Sequence, residues 1–197
     1  MTKALVLLSG GLDSMLAARV LLDQGVEVTG LSFKSNFFGT IKAKKAAEQL
    51  GVELIEIDFS DEHLEMVKNP THGYGKNMNP CIDCHALMLK RAKEIMVRDG
   101  FDFVATGEVL GQRPMSQHRD ALDIVEKVSG LEGKLVRPLS AKLLNESEAE
   151  KQGKLIRNRL LDISGRSRQR QLELVKKYGI KEYASPGGGC LLTDPEF

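Results

Sequence analysis

The apolar run Ala4-Leu5-Val6-Leu7-Leu8 leads without a break into Ser9-Gly10-Gly11-Leu12-Asp13-Ser14, and a helical pattern begins at once. A strand that turns through paired glycines straight into a helix points to an α/β fold, in which strands and helices alternate around one core. The same junction is an anion cradle. Glycine leaves no side chain between backbone and ligand, the first turn of helix carries unpaired N–H groups, and the helix dipole adds positive potential there. Ser9 and Ser14 add hydroxyl donors. The lysine followed by Ser or Thr that closes the longer glycine loop of GTPases and kinases is absent, which excludes a site of that kind. Asp13 stands in its place, and a carboxylate suits Mg²⁺ better than it suits phosphate.

The βα unit then repeats along the chain. Apolar residues at Leu16, Ala17, Val20 and Leu21 predict a helix over 13–24 that ends at Gly25. Val26–Phe33 reads as a second strand, Thr40–Leu50 as a helix closed by Gly51, and Val52–Phe59 as a third strand. Residues 68–80, with Pro70, Gly73, Gly75 and three asparagines, read as a long functional loop, followed by a helix over 82–98. Phe101–Thr106 is a fourth strand, 117–129 a helix, and Leu135–Pro138 a short fifth strand whose proline keeps it from the sheet centre. Such a series predicts a parallel twisted sheet with helices on both faces and a ligand at the carboxyl ends of the strands, where the strand order switches.

The string Ser9 to Ser14 resembles the signature of the PP-loop ATP pyrophosphatases, which split ATP between the α and β phosphates to adenylylate a carbonyl oxygen. The resemblance implies strand order 3-2-1-4-5. It places ATP with Mg²⁺ on Leu8, Ser9, Gly10, Gly11, Asp13 and Ser14, with adenine near Ser32 and Phe33. Thr106 and Gly107, at the end of strand four, would flank the nucleotide across the switch point.

With 197 residues the chain is long enough to bury its own core, and we expect a single domain over 1–197. It has no apolar stretch of the roughly eighteen residues that a spanning helix needs, nor room for a signal peptide before the first strand, so we expect a cytoplasmic protein without membrane contact. Three cysteines in a reducing compartment suggest metal ligation or catalysis rather than a disulfide framework. Cys81 and Cys84 form a Cys-x-x-Cys pair at a loop-to-helix junction, where the dipole is expected to lower thiol pKa values. Cys190 lies far downstream in Ser185-Pro186-Gly187-Gly188-Gly189-Cys190, whose glycines would let its backbone approach the pair. Zinc would take His85 as a fourth ligand, awkwardly placed directly after Cys84. Three thiolates match a [4Fe–4S] cluster with one iron open. A third reading makes Cys190 a persulfide carrier, with Cys81 or Cys84 as its resolving thiol.

Here the resemblance narrows to the tRNA thiolation branch of the PP-loop family, and most closely to 4-thiouridine-synthetase-related and 2-thiouridylase-related proteins. The most distinctive run is Ala105-Thr106-Gly107-Glu108-Val109-Leu110-Gly111-Gln112-Arg113-Pro114-Met115-Ser116-Gln117. What it implies is adenylylation of a uridine carbonyl in tRNA, then replacement of the activated oxygen by sulfur from sulfide or a persulfide carrier. Asp13 and Cys190 would be the catalytic residues, and Cys81, Cys84 and Cys190 the cluster ligands. A synthetase acting on a small carboxylate or amide, with a structural metal at the cysteines, is the alternative. The chain shows no RNA-binding module ahead of the signature loop, so we expect either a piece of a longer protein or a separate RNA-binding domain or subunit.

Net charge is only +1, but its distribution is uneven. Between Lys151 and Lys181 ten basic residues face only Asp162 and Glu173, and we expect a basic, largely helical segment at about 148–181. Arg166, Arg168 and Arg170, with Arg113, are the candidates for RNA phosphates, or for those of ATP. Leu172, Leu174 and Val175 suggest that the last helix also has a buried side. Aromatic residues are few and scattered, so recognition by shape and phosphate contact fits better than a stacking platform. His63, His72, His85 and His118 lie in separate segments and read as surface or loop residues, with His118 beside Arg119 open to RNA.

Overall fold

In the computed structural model, which describes residues 1–185 and 189–197, the apolar run near the N-terminus becomes the innermost strand. β1 (Lys3–Leu7) pairs in parallel with β2 (Glu27–Lys34) on one side and β4 (Phe103–Ala105) on the other. β3 (Glu53–Asp58) joins the outer side of β2, and β5 (Leu135–Val136) joins β4. The order is therefore β3-β2-β1-β4-β5, all parallel, as the PP-loop resemblance implied. Ala4, Leu5 and Val6 are fully buried because both faces of β1 are covered, the condition under which a strand is continuously apolar rather than alternating.

Successive residues of β1 serve different layers. Ala4 and Val6 pack with Ala18 and Leu21 of α1 (Leu12–Leu22) on one face. Leu5 packs on the other with Leu89, Ala92, Ile95 and Met96 of α4 (Cys81–Asp99) and Val125 of α5 (Arg119–Ser129). α2 (Ile41–Leu50) uses Ala46 and Ala47 to close over Leu8 and Met15, on the α1 side.

α3 (Ser60–Lys68), which packs along α4, was not foreseen. Its buried positions are only His63 and Val67, and a histidine does not register as an apolar position. α5 begins at Arg119 rather than 117 because the His118 imidazole caps it, accepting from the Ala121 N–H at 3.2 Å. His118 thus serves the fold as a cap while remaining exposed at the surface, as expected.

The expected basic helical segment at about 148–181 is helical only in short pieces. α6 (Glu148–Lys151) stops at Gln152-Gly153, a single 3-10 turn spans Arg157–Arg159, and α7 (Gln169–Tyr178) follows. Between them Leu160 and Ile163 anchor irregular chain against Leu12, Leu16 and Val109. On α7 itself Leu174 and Val175 are partly buried, but Leu172 is exposed, and the fully buried side chain is Gln171. Residues 186–188, in the glycine run before Cys190, lie outside the described residues. No helix among the described residues is long and apolar enough to cross a membrane.

Candidate active site

The switch point lies between β1 and β4, and a cavity of about 550 Å³ opens there. Its floor is the Ser9–Ser14 turn. Gly10 has φ 86°, and a Cβ built on it would stand 2.5 Å from the backbone of Lys42. From the other strand end, Gly107 lies so close to α1 that a Cβ would stand 2.5 Å from the Ser14 nitrogen. Both glycines are therefore required by close approach of backbone to backbone. The hydroxyls foreseen as ligand donors also shape the loop: Ser14 Oγ donates to Gly11 O at 2.9 Å, and Ser9 Oγ accepts from the Gly11 N–H at 3.2 Å. Gly11 caps α1 without a side-chain hydrogen bond, which leaves first-turn N–H groups for a ligand.

Leu8, Ser9, Gly11, Asp13, Ser14, Ser32, Phe33, Thr106 and Gly107 line this cavity together, while Gly10 backs onto Lys42. Asp13 accepts at Oδ2 from Gln112 Nε2 (2.6 Å) and from Arg168 Nη2 (3.1 Å). Its Oδ1 is buried without a hydrogen-bond partner among the described residues. An orphaned carboxylate oxygen in a nucleotide-sized cavity fits a hard cation held by one carboxylate and substrate phosphates, as Mg²⁺ prefers. Arg113 also lines the cavity, so of the four candidate arginines two turn inward. Arg166 is exposed, and Arg170 pairs at the surface with Asp162 at 2.7 Å.

Cys81, Cys84 and Cys190 line the same cavity, although the last is more than a hundred residues from the others. The C-terminal segment is brought there by the bond from the Ala184 N–H to Gly10 O (3.2 Å), and again by that from the Leu191 N–H to Phe37 O (3.1 Å). Contrary to expectation, the Cys84 thiol is not acidified by the helix terminus. Burial pushes its pKa well up, and the neighbouring charges of Cys190, Cys81 and Asp83 push the same way. Burial likewise raises Cys190.

The imidazole beside these thiols is His63, which sequence reading had assigned to the surface. It is 0% exposed, with Nε2 3.2 Å from Cys84 Sγ and its ring packed against Phe37, Phe38 and Phe59. Burial lowers its pKa to about 4, so it is neutral at physiological pH. His85 turns instead toward Glu108, with Nδ1 3.6 Å from Oε2, and so does not join the thiols as a zinc ligand. His72 is also committed, bonding Asp83 through both its N–H and its ring Nδ1 at 2.8 Å.

Among the described residues no three His, Cys, Asp or Glu side chains are grouped as a site for a single metal ion. The donor set nevertheless fits an iron–sulfur cluster by its chemistry. Three thiols face one cavity, burial and neighbouring charge oppose the ionisation of Cys84 and Cys190, and bound iron deprotonates a coordinating thiol outright.

Sequence reading also missed Glu108. Burial is the strongest single influence on it and acts upward, but Arg137, His85 and Thr106 together bring its pKa down to about 2. Thr106 Oγ1 donates to Oε1 at 2.8 Å and Arg137 Nε at 3.3 Å. This buried carboxylate locks the Thr106-Gly107 turn to the end of β5. Its partner Arg137 is 29 residues away and could not have been named from spacing.

A family model described as thiamine biosynthesis protein (ThiI) matches residues 1–150, about three quarters of the chain. The chain belongs to the ThiI family. The PP-loop, Rossmann-like fold foreseen from Ser9–Ser14 is the one observed. Among curated relatives, the tRNA-specific 2-thiouridylase MnmA of Treponema denticola is 36% identical over 123 residues, covering 53% of this chain and 32% of that protein. MnmA of Sulfurimonas denitrificans is 36% identical over 118 residues, covering 55% and 35%. This ThiI-family chain thus spans about a third of the length of these relatives. Among solved structures, a 4-thiouridine synthetase in complex with RNA and bound ATP superposes with a TM-score of 0.57 at 21% identity, over 90% of this chain and 41% of that one. The U34-tRNA thiolase NcsA of Methanococcus maripaludis, with its [4Fe–4S] cluster, gives 0.51 at 22% identity, over 94% and 60%. At these identities both likenesses concern the fold.

Proposed function

We propose that this ThiI-family domain is an ATP-dependent tRNA sulfurtransferase that replaces a uridine carbonyl oxygen by sulfur. The observation that carries the reading is that the glycine cradle and all three cysteines open into one cavity. A nucleotide on the cradle and a sulfur at the thiols could therefore reach the same base. The RNA-bound and cluster-bearing structures of similar fold belong to enzymes of this chemistry, which adds support.

In the proposed reaction ATP lies on Ser9–Ser14, with adenine toward Ser32 and Phe33 and Mg²⁺ at Asp13 Oδ1. The uracil carbonyl oxygen attacks the α-phosphorus and the bond to pyrophosphate breaks. Backbone N–H groups of the cradle would stabilise the charge that grows on the departing pyrophosphate, and a cation held by Asp13 would supply Lewis-acid stabilisation there. A sulfur nucleophile then adds to the activated carbon, and AMP leaves with the former carbonyl oxygen. Activation is needed because that oxygen is a poor leaving group until it is part of AMP.

A cluster held by Cys81, Cys84 and Cys190 would supply an open iron site for exogenous sulfide. His63 then serves as a fixed, neutral neighbour whose Nε2 can donate to the Cys84 sulfur. Exposed Arg166 and Arg170 are the surface candidates for tRNA phosphates.

The test is anaerobic purification, with iron, acid-labile sulfide and zinc measured per chain, followed by pyrophosphate release with and without tRNA. About four irons and four sulfides, with RNA-dependent release, support the reading. Stoichiometric zinc, with release dependent on a small carboxylate, would replace it by a synthetase.

A further inference from the structure

The pairing of Asp13 with Arg168 joins residues 155 positions apart, and it is unfinished. One carboxylate oxygen, Oδ2, is saturated by two donors, Gln112 Nε2 and Arg168 Nη2. The other, Oδ1, is buried and bare among the described residues. Arginine–carboxylate pairs are frequently bidentate, with each carboxylate oxygen meeting one prong of the guanidinium. Here a single Arg168 nitrogen is engaged with Asp13, and a guanidinium carries five N–H donors.

The arrangement is held from behind. Gln171, 0% exposed in the first turn of α7, donates through Nε2 to Gln112 Oε1 at 2.9 Å, so Gln112 is oriented to present its amide to Asp13. The segment leading to Arg168 is fixed to the loop after β4 by the bond from the Gly165 N–H to Leu110 O, 2.8 Å. Arg168 therefore reaches the cavity from the β4 side of the switch point. Ser32 and Phe33, where adenine is proposed, are on the β2 side.

We infer that Arg168 is a nucleotide ligand, binding the pyrophosphate portion of ATP, and that Gln112 and Gln171 are its positioning residues. The inference rests on the reading that the cradle takes ATP. It assigns to a residue from the C-terminal segment the positive charge that this glycine turn lacks, having Asp13 where the usual phosphate loop has lysine. With a cation on Oδ1 and the arginine on Oδ2, Asp13 holds both countercharges of the triphosphate.

The experiment is calorimetric titration of the whole chain with ATP·Mg²⁺, with pyrophosphate·Mg²⁺ and with AMP. It compares the unsubstituted protein with Arg168→Gln, Arg168→Lys and, as a distant control, Arg98→Ala. Arg168→Gln is expected to weaken ATP and pyrophosphate by roughly tenfold to a hundredfold, the range for charge-assisted hydrogen bonds, and to leave AMP unchanged. Arg168→Lys should recover part of the loss, which also shows that the substitution has not simply unfolded the site. Unchanged or tighter ATP binding in Arg168→Gln would overturn the assignment, since an arginine that merely blocks Asp13 would release the site when removed. An equal loss for AMP would overturn it too, by placing the effect away from the pyrophosphate. If the unsubstituted chain binds neither ATP nor pyrophosphate, the nucleotide reading itself falls, and this assignment with it.

Discussion

The two ends of the cavity are built in opposite ways. The cradle end is local and made of backbone: six consecutive residues form the turn, and Gly107 closes against it with no room for a methyl group. The thiol end is assembled from distant side chains. Cys84 on α4 meets His63 on α3, aromatic rings from the loop after β2 pack around the imidazole, and Cys190 arrives from the C-terminus. A backbone cradle tolerates almost no change at Gly10 and Gly107 but is indifferent to what lies at the other end. A side-chain cluster can lose members one at a time while the fold persists, because its scaffold is carried by α3 and α4.

That contrast predicts the largest effect for Gly107→Ala. Its Cβ would stand 2.5 Å from the Ser14 nitrogen and 2.6 Å from the Asp13 carbonyl carbon, so the first turn of α1 must shift and the cradle opens. We expect ATP binding to be lost and stability to fall by about 2 kcal/mol, as for an overpacked core, read by calorimetry and thermal melting. Normal ATP affinity in this variant would mean that the close approach does not shape the site. At the other end, Cys84→Ala and Cys190→Ala should each abolish iron binding after anaerobic reconstitution. ATP affinity should stay within about twofold, since groups that share no partner act independently of one another. Cluster retained in Cys190→Ala would detach that residue from the site. ATP affinity lost in either variant would show that the two ends are not separable.

The same contrast explains what could be read in the sequence. The alternating strands and helices and the glycine turn were legible because their signals are contiguous: an apolar run, paired glycines, then helical periodicity; the strand order came only from the PP-loop resemblance that this turn carries. Thr106 and Gly107 were placed beside the turn by that resemblance, and they line the same cavity. His63 was not legible, since a histidine scores as polar in any periodicity count and its burial depends on Phe37, Phe38 and Phe59 arriving from other segments. The thiol shift was misjudged because a helix terminus was weighed without the desolvation that outweighs it at Cys84. The basic segment was recognised as basic, but not that Arg168 turns inward to Asp13, while Arg166 and Arg170 remain outside. That division depends on irregular chain pinned by Leu160, Ile163 and the Gly165–Leu110 bond, none of which has a sequence period.

A smaller effect tests the buried carboxylate that joins β4 to β5. Glu108 has a folded pKa of about 2 against an ordinary value of 4.5, so the folded state favours its ionised form. The stabilisation is complete above pH 4.5 and is lost as the pH falls from there through about 2, where the folded carboxyl also protonates. A difference of that size is worth about 3 kcal/mol. Urea unfolding of the metal-free chain should therefore show a stability loss between pH 4.5 and 2 that is smaller in Glu108→Gln. An unchanged acid limb in Glu108→Gln would assign that loss to other groups.

The smallest effect on the fold should come from Arg166 and Arg170, and here the comparison turns from the two ends of the cavity to inside against outside. Arg170 pairs with Asp162 at the surface, each side chain about half exposed, where such pairs contribute little, and Arg166 is exposed. Replacing both by alanine should leave the melting temperature and ATP affinity unchanged. If this face meets the tRNA backbone, affinity for tRNA should fall for every sequence tested, and the slope of log affinity against log salt should shrink by about one to two counterions. An unchanged salt slope would move RNA contact elsewhere, and Arg113 at the cavity wall would become the residue to change next. A loss confined to ATP binding would instead mean that the exposed arginines act with Arg168 on the nucleotide, which would erase the distinction between the inward-turned and outward-turned residues of this segment.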